Sequence, residues 1–110
     1  MTESQAKKLF SDQLVVFRKY FPLKNVTLVI HDRENTPGCS NFRDVAWAYP
    51  ADNTVNICKR VLSFSSNTIT ALFRHEISHL CDSKVDSDGK EQRADDIAEL
   101  VTGEPIRYSG

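Results

Sequence analysis

Hydrophobic residues recur at helical spacing in three stretches of the chain. In the first stretch, Phe10, Leu14, Phe17 and Phe21 follow one another at intervals of three or four residues, and Pro22 ends the pattern. The same periodicity predicts helices over residues 4–21, 67–82 and 91–101. Each predicted helix has one apolar side, which we expect to be buried.

Shorter stretches rich in β-branched and aromatic residues predict strands over residues 26–30, 45–49 and 54–58. The last two strands are separated only by residues 50–53, which is a turn of hairpin length. Residues 35–42 and 83–90 carry turn residues or polar residues, so we expect loops there. These elements predict one domain, residues 1–110, with an α+β fold and a small, mostly antiparallel three-stranded sheet.

The helix predicted over residues 67–82 contains His75, Glu76 and His79 in the pattern His-Glu-x-x-His. Residues four apart on a helix lie about 40° apart around its axis and about 6 Å apart along it. The two imidazoles therefore project side by side and can hold one metal ion between them. Glu76 lies roughly 60° further round the helix, which places its carboxylate beside the ion and within reach of a water molecule held there.

The apolar residues of this helix predict that Glu76 is buried. They cover an arc of roughly 140° on a helical wheel, and they are Ile69, Leu72, Phe73, Ile77 and Leu80. Glu76 falls inside the arc, whereas Thr70, Arg74 and Ser78 lie opposite. A buried carboxylate costs several kcal/mol unless it has a partner, which water on a metal would supply. The alternative is a chance match with solvated side chains, at a probability on the order of one in a few hundred.

A catalytic zinc ion usually has three protein ligands, so the two histidines need a third. Glu91 opens the last predicted helix, and Asp95 follows one turn later at the rim of its apolar side. We expect Glu91 to be the third ligand and Asp95 to accept the free N–H of a ligand histidine. The alternative is a pair of solvated acids near a helix start, where negative charge is favoured in any case.

Composition argues against several other classes of protein. The chain is 40% hydrophobic and 26% charged with a net charge of -1, so it predicts no nucleic-acid-binding surface. Its first residues are polar and no run is long enough to cross a membrane, so we expect a cytoplasmic protein with no membrane partner. Cys39, Cys58 and Cys81 are an odd number without a close pair, and we interpret them as free thiols. His31 ends a predicted strand, and no spacing rule connects it with the metal helix.

His75-Glu76-x-x-His79, followed by Glu91 and Asp95 on the next helix, resembles the zincin metallopeptidases. Among these it is similar to the glutamate-ligand (gluzincin) branch, and more narrowly to small ImmA/IrrE-type domains of phage, mobile-element and bacterial proteins. The resemblance covers roughly residues 26–103. It implies a minimal zincin-like fold in which His75, His79 and Glu91 bind Zn²⁺, Glu76 is the general base and Asp95 orients a ligand.

Other zincin branches fit less well or stay open. The metzincin motif continues with Gly and a third His, where this chain has Asp82 and Val85. Branches with an aspartate ligand stay open because three acids follow the motif closely, namely Asp82, Asp86 and Asp88.

The resemblance implies a zinc metalloendopeptidase that hydrolyses a protein or peptide substrate. Glu76 would take a proton from water and pass it to the leaving amine. Tyr49, Tyr108 and His31 are candidates for donating a hydrogen bond to the oxyanion. Two alternatives stay open: a zincin-fold module that binds or regulates a partner with little or no catalysis, and a zinc hydrolase of a non-peptide amide.

Overall fold

The structure is a computed structural model that describes residues 1–32, 39, 45–82 and 89–106. Within these residues the chain forms three α-helices and one three-stranded sheet, so the predicted α+β class is confirmed. The elements in chain order are α1 (Glu3–Arg18), β1 (Thr27–His31), β2 (Ala46–Tyr49), β3 (Thr54–Cys58), α2 (Ser66–Cys81) and α3 (Lys90–Thr102). Most residues of the predicted loops 35–42 and 83–90 lie outside the described residues.

The first helix is shorter than its periodicity predicts. It ends at Arg18 rather than at Phe21. Phe21 precedes Pro22, and the proline ring disfavours helical backbone at the residue before it. The side chain of Phe21 is still partly buried against the core, so the apolar pattern continues where the helix does not.

The sheet is mixed, which corrects the expectation of a mostly antiparallel one. Its strand order is β1-β3-β2. The hairpin pairing of β2 with β3 is antiparallel as predicted, but β1 lies parallel to β3 on the other side. Alternation along a strand shows which face is buried and carries no information about strand direction. Because β3 is the central strand, Val55 and Ile57 are buried on one of its faces and Asn56 and Cys58 on the other.

One face of the sheet, α1 and α2 enclose the main core. Phe10 of α1 and Phe73 of α2 meet edge to face, with ring centroids 5.2 Å apart. The buried cluster consists of Ala6, Phe10, Leu14, Phe17, Val55, Ile57, Val61, Leu62, Ile69, Phe73, Ile77, Ala98 and Val101. This packing fixes the rotation of α2 about its axis, and therefore the direction in which its histidines project.

The far side of α2 is partly covered, and one of its residues is fully buried, contrary to expectation. Ser78, which the helical wheel places opposite the apolar arc, is fully buried, and its hydroxyl donates to the Arg74 carbonyl at 2.6 Å. The cause is that α2 contacts α1, α3 and β2, so it is covered on several sides. Ala71 is also buried, whereas the larger Leu72 and Leu80 are only partly so.

The cysteines are not all free thiols, which corrects the interpretation from sequence. Cys39 and Cys58 form a disulfide with a Cα–Cα distance of 5.7 Å, and Cys81 is free. The two partners are 19 residues apart, so the pair becomes visible only when the fold brings Cys39 to the end of β3. In the described ranges, the helices are too short or too polar to cross a lipid bilayer.

The disulfide predicts how many thiols react. Non-reduced, denatured protein treated with iodoacetamide should gain one adduct per chain, on Cys81, whereas reduced protein should gain three. In the folded protein the adduct should form slowly, because burial raises the pKa of the Cys81 thiol to about 12. Intact-protein mass spectrometry counts the adducts, and three adducts without reductant would contradict the disulfide.

Candidate metal centre

The histidines of α2 face each other across one turn of the helix. The Ser65 side chain caps the start of α2 by accepting from the Thr68 amide, and the helix continues without a break through both histidines. The Nε2 atoms of His75 and His79 lie 3.1 Å apart. Two nitrogens bound to a tetrahedral zinc ion at about 2.0–2.1 Å are separated by about 3.3 Å. The spacing therefore suits a single ion held by both rings.

The third helix brings two carboxylates to the same place. Glu91 spans both rings: its Oε2 lies 2.7 Å from Nε2 of His75 and its Oε1 lies 3.1 Å from Nε2 of His79. Asp95, one turn later, places Oδ1 2.7 Å from Nδ1 of His75. Ala94, between them, is fully buried, and a small side chain there permits close approach of α3 to the rest of the fold.

The start of α3 depends on one glycine. Gly89 precedes the helix with a φ of 73°, in the left-handed region that favours glycine. The chain therefore turns into α3 immediately before Lys90 and Glu91. This turn places Glu91 in the first turn of the helix, next to the two histidines.

The contact with Asp95 determines the tautomer of a neutral His75 ring. A carboxylate can only accept when it is ionised, so Nδ1 of His75 donates its hydrogen to Asp95. In a neutral ring, Nε2 then carries a lone pair that points at the Glu91 carboxylate and at His79. The Nε2 lone pair of His75 and the Glu91 carboxylate are then both acceptors, so a proton or a metal ion has to lie between them.

The pKa values of the site shift in different directions because burial competes with the neighbouring charges. Burial lowers the pKa of His75, but its contact with Asp95 and the negative charges of Glu76 and Glu91 outweigh burial, so the net pKa is raised. Burial also lowers the pKa of His79, and there the net shift is downward. For Glu91, burial raises the pKa, yet the two imidazoles lower it by more, and the net pKa is below the usual range.

Glu76 lies inside the protein, as the helical wheel predicts. Only 6% of its surface is exposed. Burial raises the pKa of its carboxyl to about 7, against the opposing charges of His75 and Lys90. One donor atom each from His75, Glu76 and His79 can be found within 4.8 Å of one another, which makes Glu76 a second candidate for the third ligand. Glu91 suits that role better, because its carboxylate contacts both Nε2 atoms directly.

A cleft of about 300 Å³ opens onto these side chains. Its lining residues include Ala46, Trp47 and Ala48 of β2 on one side and Glu76, His79 and Glu91 on the other. A larger cavity, of about 470 Å³, is lined by Arg74 and Glu104 among others. The lining residues described for the two cavities do not overlap, and Arg74 is already paired with Glu104 at 3.2 Å. The smaller cleft is therefore the candidate site, because its lining includes side chains that can bind a metal ion.

Three other residues that the sequence offers as candidates for the site are His31, Tyr49 and Asp82, and each has a different environment in the structure. His31 lies on β1, where its ring is bound to Asn56 on the central strand, so it is not brought to the metal centre. Tyr49 is 55% exposed at the end of β2. Asp82 forms an ion pair with Arg93 at 2.8 Å. The other candidates, Asp86, Asp88 and Tyr108, lie outside the described residues.

Lys90 and Trp47 line the cleft, and the sequence pattern did not single out either as a site residue. Lys90 could have been predicted to lie at the site, because it is adjacent to Glu91 and the first turn of the last helix was expected there. Trp47 could not be found this way because nothing in the sequence shows which strand lies beside α2.

Family models, curated protein sequences and solved structures yield no match to this chain. Its function is therefore inferred from its own side chains.

The contact between Asp95 and His75 predicts a loss of metal affinity in Asp95→Asn. The amide is a weaker acceptor and leaves the ring less firmly oriented, so the affinity for any metal ion bound by this ring should fall about 10- to 100-fold. Competition with a chromophoric chelator measures this. Asp96→Asn is the matched control, because Asp96 is exposed on the same helix and accepts from Gln92. Equal affinities for the two variants would contradict a role of Asp95 in orienting the ring.

Burial of Glu76 predicts that metal-free Glu76→Gln protein is more stable than wild type at high pH only. Well below pH 4.5 the carboxyl is protonated in both folded and unfolded chains, so its ionisation does not change the stability there. Between pH 4.5 and about 7 the unfolded chain loses this proton while the folded chain keeps it, and wild type loses stability. By pH 8 the difference should reach about 3 kcal/mol. Urea unfolding in EDTA tests this, and an equal difference at pH 4 and pH 8 would contradict it.

Proposed function

We propose that this protein is a zinc-dependent metallopeptidase. The observation that carries the proposal is the contact of one carboxylate, Glu91, with the Nε2 atoms of both His75 and His79, beside the buried Glu76. Two imidazole nitrogens and one carboxylate form a donor set that suits zinc, whereas magnesium and calcium prefer oxygen donors alone. Three protein ligands also leave a position for substrate or water.

Each side chain has a part in the proposed reaction. His75, His79 and Glu91 would hold the ion, and Asp95 keeps the Nε2 lone pair of His75 directed at it. Bound zinc would lower the pKa of water to about 7 and polarise the substrate carbonyl. Glu76 would take the proton of the attacking water and transfer it to the leaving amine, since its carboxyl lines the same cleft.

The position of β2 supports a peptide as the substrate. Among the described strands, β2 is paired only with β3, so within this part of the chain it forms one edge of the sheet. Residues Ala46 to Ala48 of that strand line the cleft opposite Glu76. An extended peptide can add to such an edge by main-chain hydrogen bonds. It would then cross the cleft with its backbone close to the metal donors.

We extend the proposal to the family level and to location. The proposed family is the glutamate-ligand branch with a minimal zincin-like fold, and the resemblance to phage or bacterial ImmA/IrrE-type domains is part of this proposal; the presence of His75-Glu76-x-x-His79 on α2 and Glu91 on α3 supports it. A cytoplasmic location also stays a prediction. The disulfide between Cys39 and Cys58 weighs against it, because disulfides persist mainly in oxidising compartments.

A second candidate function is a zincin-fold module that binds or regulates a partner without catalysis. The observation that favours it is that His75, Glu91 and Asp95 already connect α2 with α3 through two contacts of 2.7 Å. Such a connection can be retained for its contribution to the fold alone. The two candidates differ in whether Glu76 is needed for anything besides packing.

The proposed function predicts different effects for two glutamates. Wild type from zinc-replete medium should contain about one zinc ion per chain and cleave a peptide library. Glu76→Gln should keep the zinc and lose about 10²- to 10⁴-fold in rate, because only the general base is removed. Glu91→Ala should lose the zinc and the cleavage together. Elemental analysis and mass spectrometry of the products measure both properties.

Glu99→Ala is the control for these variants, because Glu99 is exposed on α3 and should keep zinc and activity. Wild-type protein that contains no zinc after expression in zinc-replete medium would contradict the proposal. Zinc binding without any Glu76-dependent cleavage would favour the second candidate.

A further inference from the structure

The second face of the sheet, opposite the main core, carries a polar and aromatic group of side chains. The strand register aligns Trp47 of β2 with Asn56 of β3, so these two side chains share a face. His31 of β1 is aligned with Cys58, two residues after Asn56, and is on that face too. Ala46 and Ala48, by alternation, point to the opposite face, where they pack against the core.

These side chains hold one another in place. The imidazole of His31 stacks on the indole of Trp47, with ring centroids 5.2 Å apart and planes 19° from parallel. Its Nε2 lies 2.9 Å from Oδ1 of Asn56. Asn56 is 5% exposed, so this hydrogen bond is shielded from water. The indole is therefore supported by a ring whose own orientation is fixed by the central strand.

The stacking shows which side of the indole His31 covers and which side it leaves open. His31 belongs to β1 and Trp47 to β2, on opposite sides of β3, so both rings lean over the central strand. His31 must then cover the inner side of the indole. The other side is turned toward the outer edge of β2, where Trp47 lines the candidate cleft and is only partly buried.

A peptide added to that edge would meet the open side of the indole. Residues opposite each other on neighbouring strands place their side chains on the same face, whether the strands are parallel or antiparallel. The peptide residue beside Trp47 would therefore extend along the indole. Its two neighbours would lie beside Ala46 and Ala48, which are small and leave the cleft free for the peptide backbone.

We propose that Trp47 is a specificity-determining residue that selects an aromatic or large aliphatic side chain at one position of an extended peptide, with His31 and Asn56 as its positioning residues. This inference rests on the proposed function, because it assumes that the cleft receives a peptide. A flat apolar ring, supported from behind, favours another ring or a bulky alkyl group over a small or charged one.

The test uses zinc-loaded protein and blocked alanine-serine octapeptides in which one Phe moves through every position. Wild type should prefer Phe at one position by about tenfold or more in kcat/KM. Trp47→Ala should reduce that preference to about unity, and Trp47→Phe should restore part of it. His31→Ala should weaken the preference, whereas His31→Phe, which keeps a ring behind the indole, should retain most of it. Tyr20→Ala, an exposed aromatic residue after α1, should match wild type.

A second measurement separates this inference from the proposed hydrolysis. The chain has one tryptophan, so its fluorescence reports on Trp47 alone. Binding of the same peptides to zinc-loaded Glu76→Gln should change this emission for the preferred Phe peptide and much less for the all-small parent. Calorimetry on Trp47→Ala with Glu76→Gln should show the loss of that preference.

The outcomes decide between the two claims. If wild type cleaves nothing but the preferred peptide binds through Trp47, the specificity residue stands and the hydrolysis fails. If peptides are cleaved with the same Phe preference in wild type and Trp47→Ala, or with no preference in wild type, Trp47 does not determine specificity. Absence of both cleavage and Phe-dependent binding overturns the inference as well.

Discussion

Negative charge gathered around two buried imidazoles is the constraint on which the candidate site depends. Glu76, Glu91 and Asp95 bring three carboxylates to His75 and His79, and both rings are largely removed from water. The rings are shielded from water, whereas Glu91 and Asp95 are partly exposed, so water screens part of the repulsion among the carboxylates. A cation at the meeting point of the acceptor atoms relieves this repulsion. The pKa of His75 is raised because its contacts with carboxylates outweigh burial, whereas burial lowers the pKa of His79.

The packing of α3 against α2 determines whether those charges meet. Ala94 and Ala98 are fully buried, and their small side chains allow α3 to lie close to its neighbours. Glu91 and Asp95 stand one helical turn apart on that helix, which matches the way one imidazole presents its two nitrogens. The same two helices therefore supply rings, carboxylates and their mutual orientation. The sheet adds the opposite wall of the cleft.

Local patterns explain how much could be predicted from sequence. The helices and strands were found because periodicity is a property of neighbouring residues, and the proximity of Glu91 to the histidines followed from helical geometry with a short connection. Predictions about features that depend on contacts between distant residues were either not made or wrong. The disulfide, the parallel pairing of β1, and the burial of Ser78 each result from packing between elements far apart in sequence.

The parallel pairing of β1 with β3 also has a kinetic consequence. The β2–β3 hairpin joins strands that are neighbours in sequence, so it can form early. Pairing of β1 with β3 closes a long loop, and the loss of chain entropy comes before the hydrogen bonds between these strands can offset it. His31 arrives with β1, so Trp47 gains its supporting ring only when that slow closure is complete. During synthesis or refolding, this wall of the cleft would therefore form after the hairpin that carries it. The fluorescence emission of Trp47 would then report on the last stage of folding.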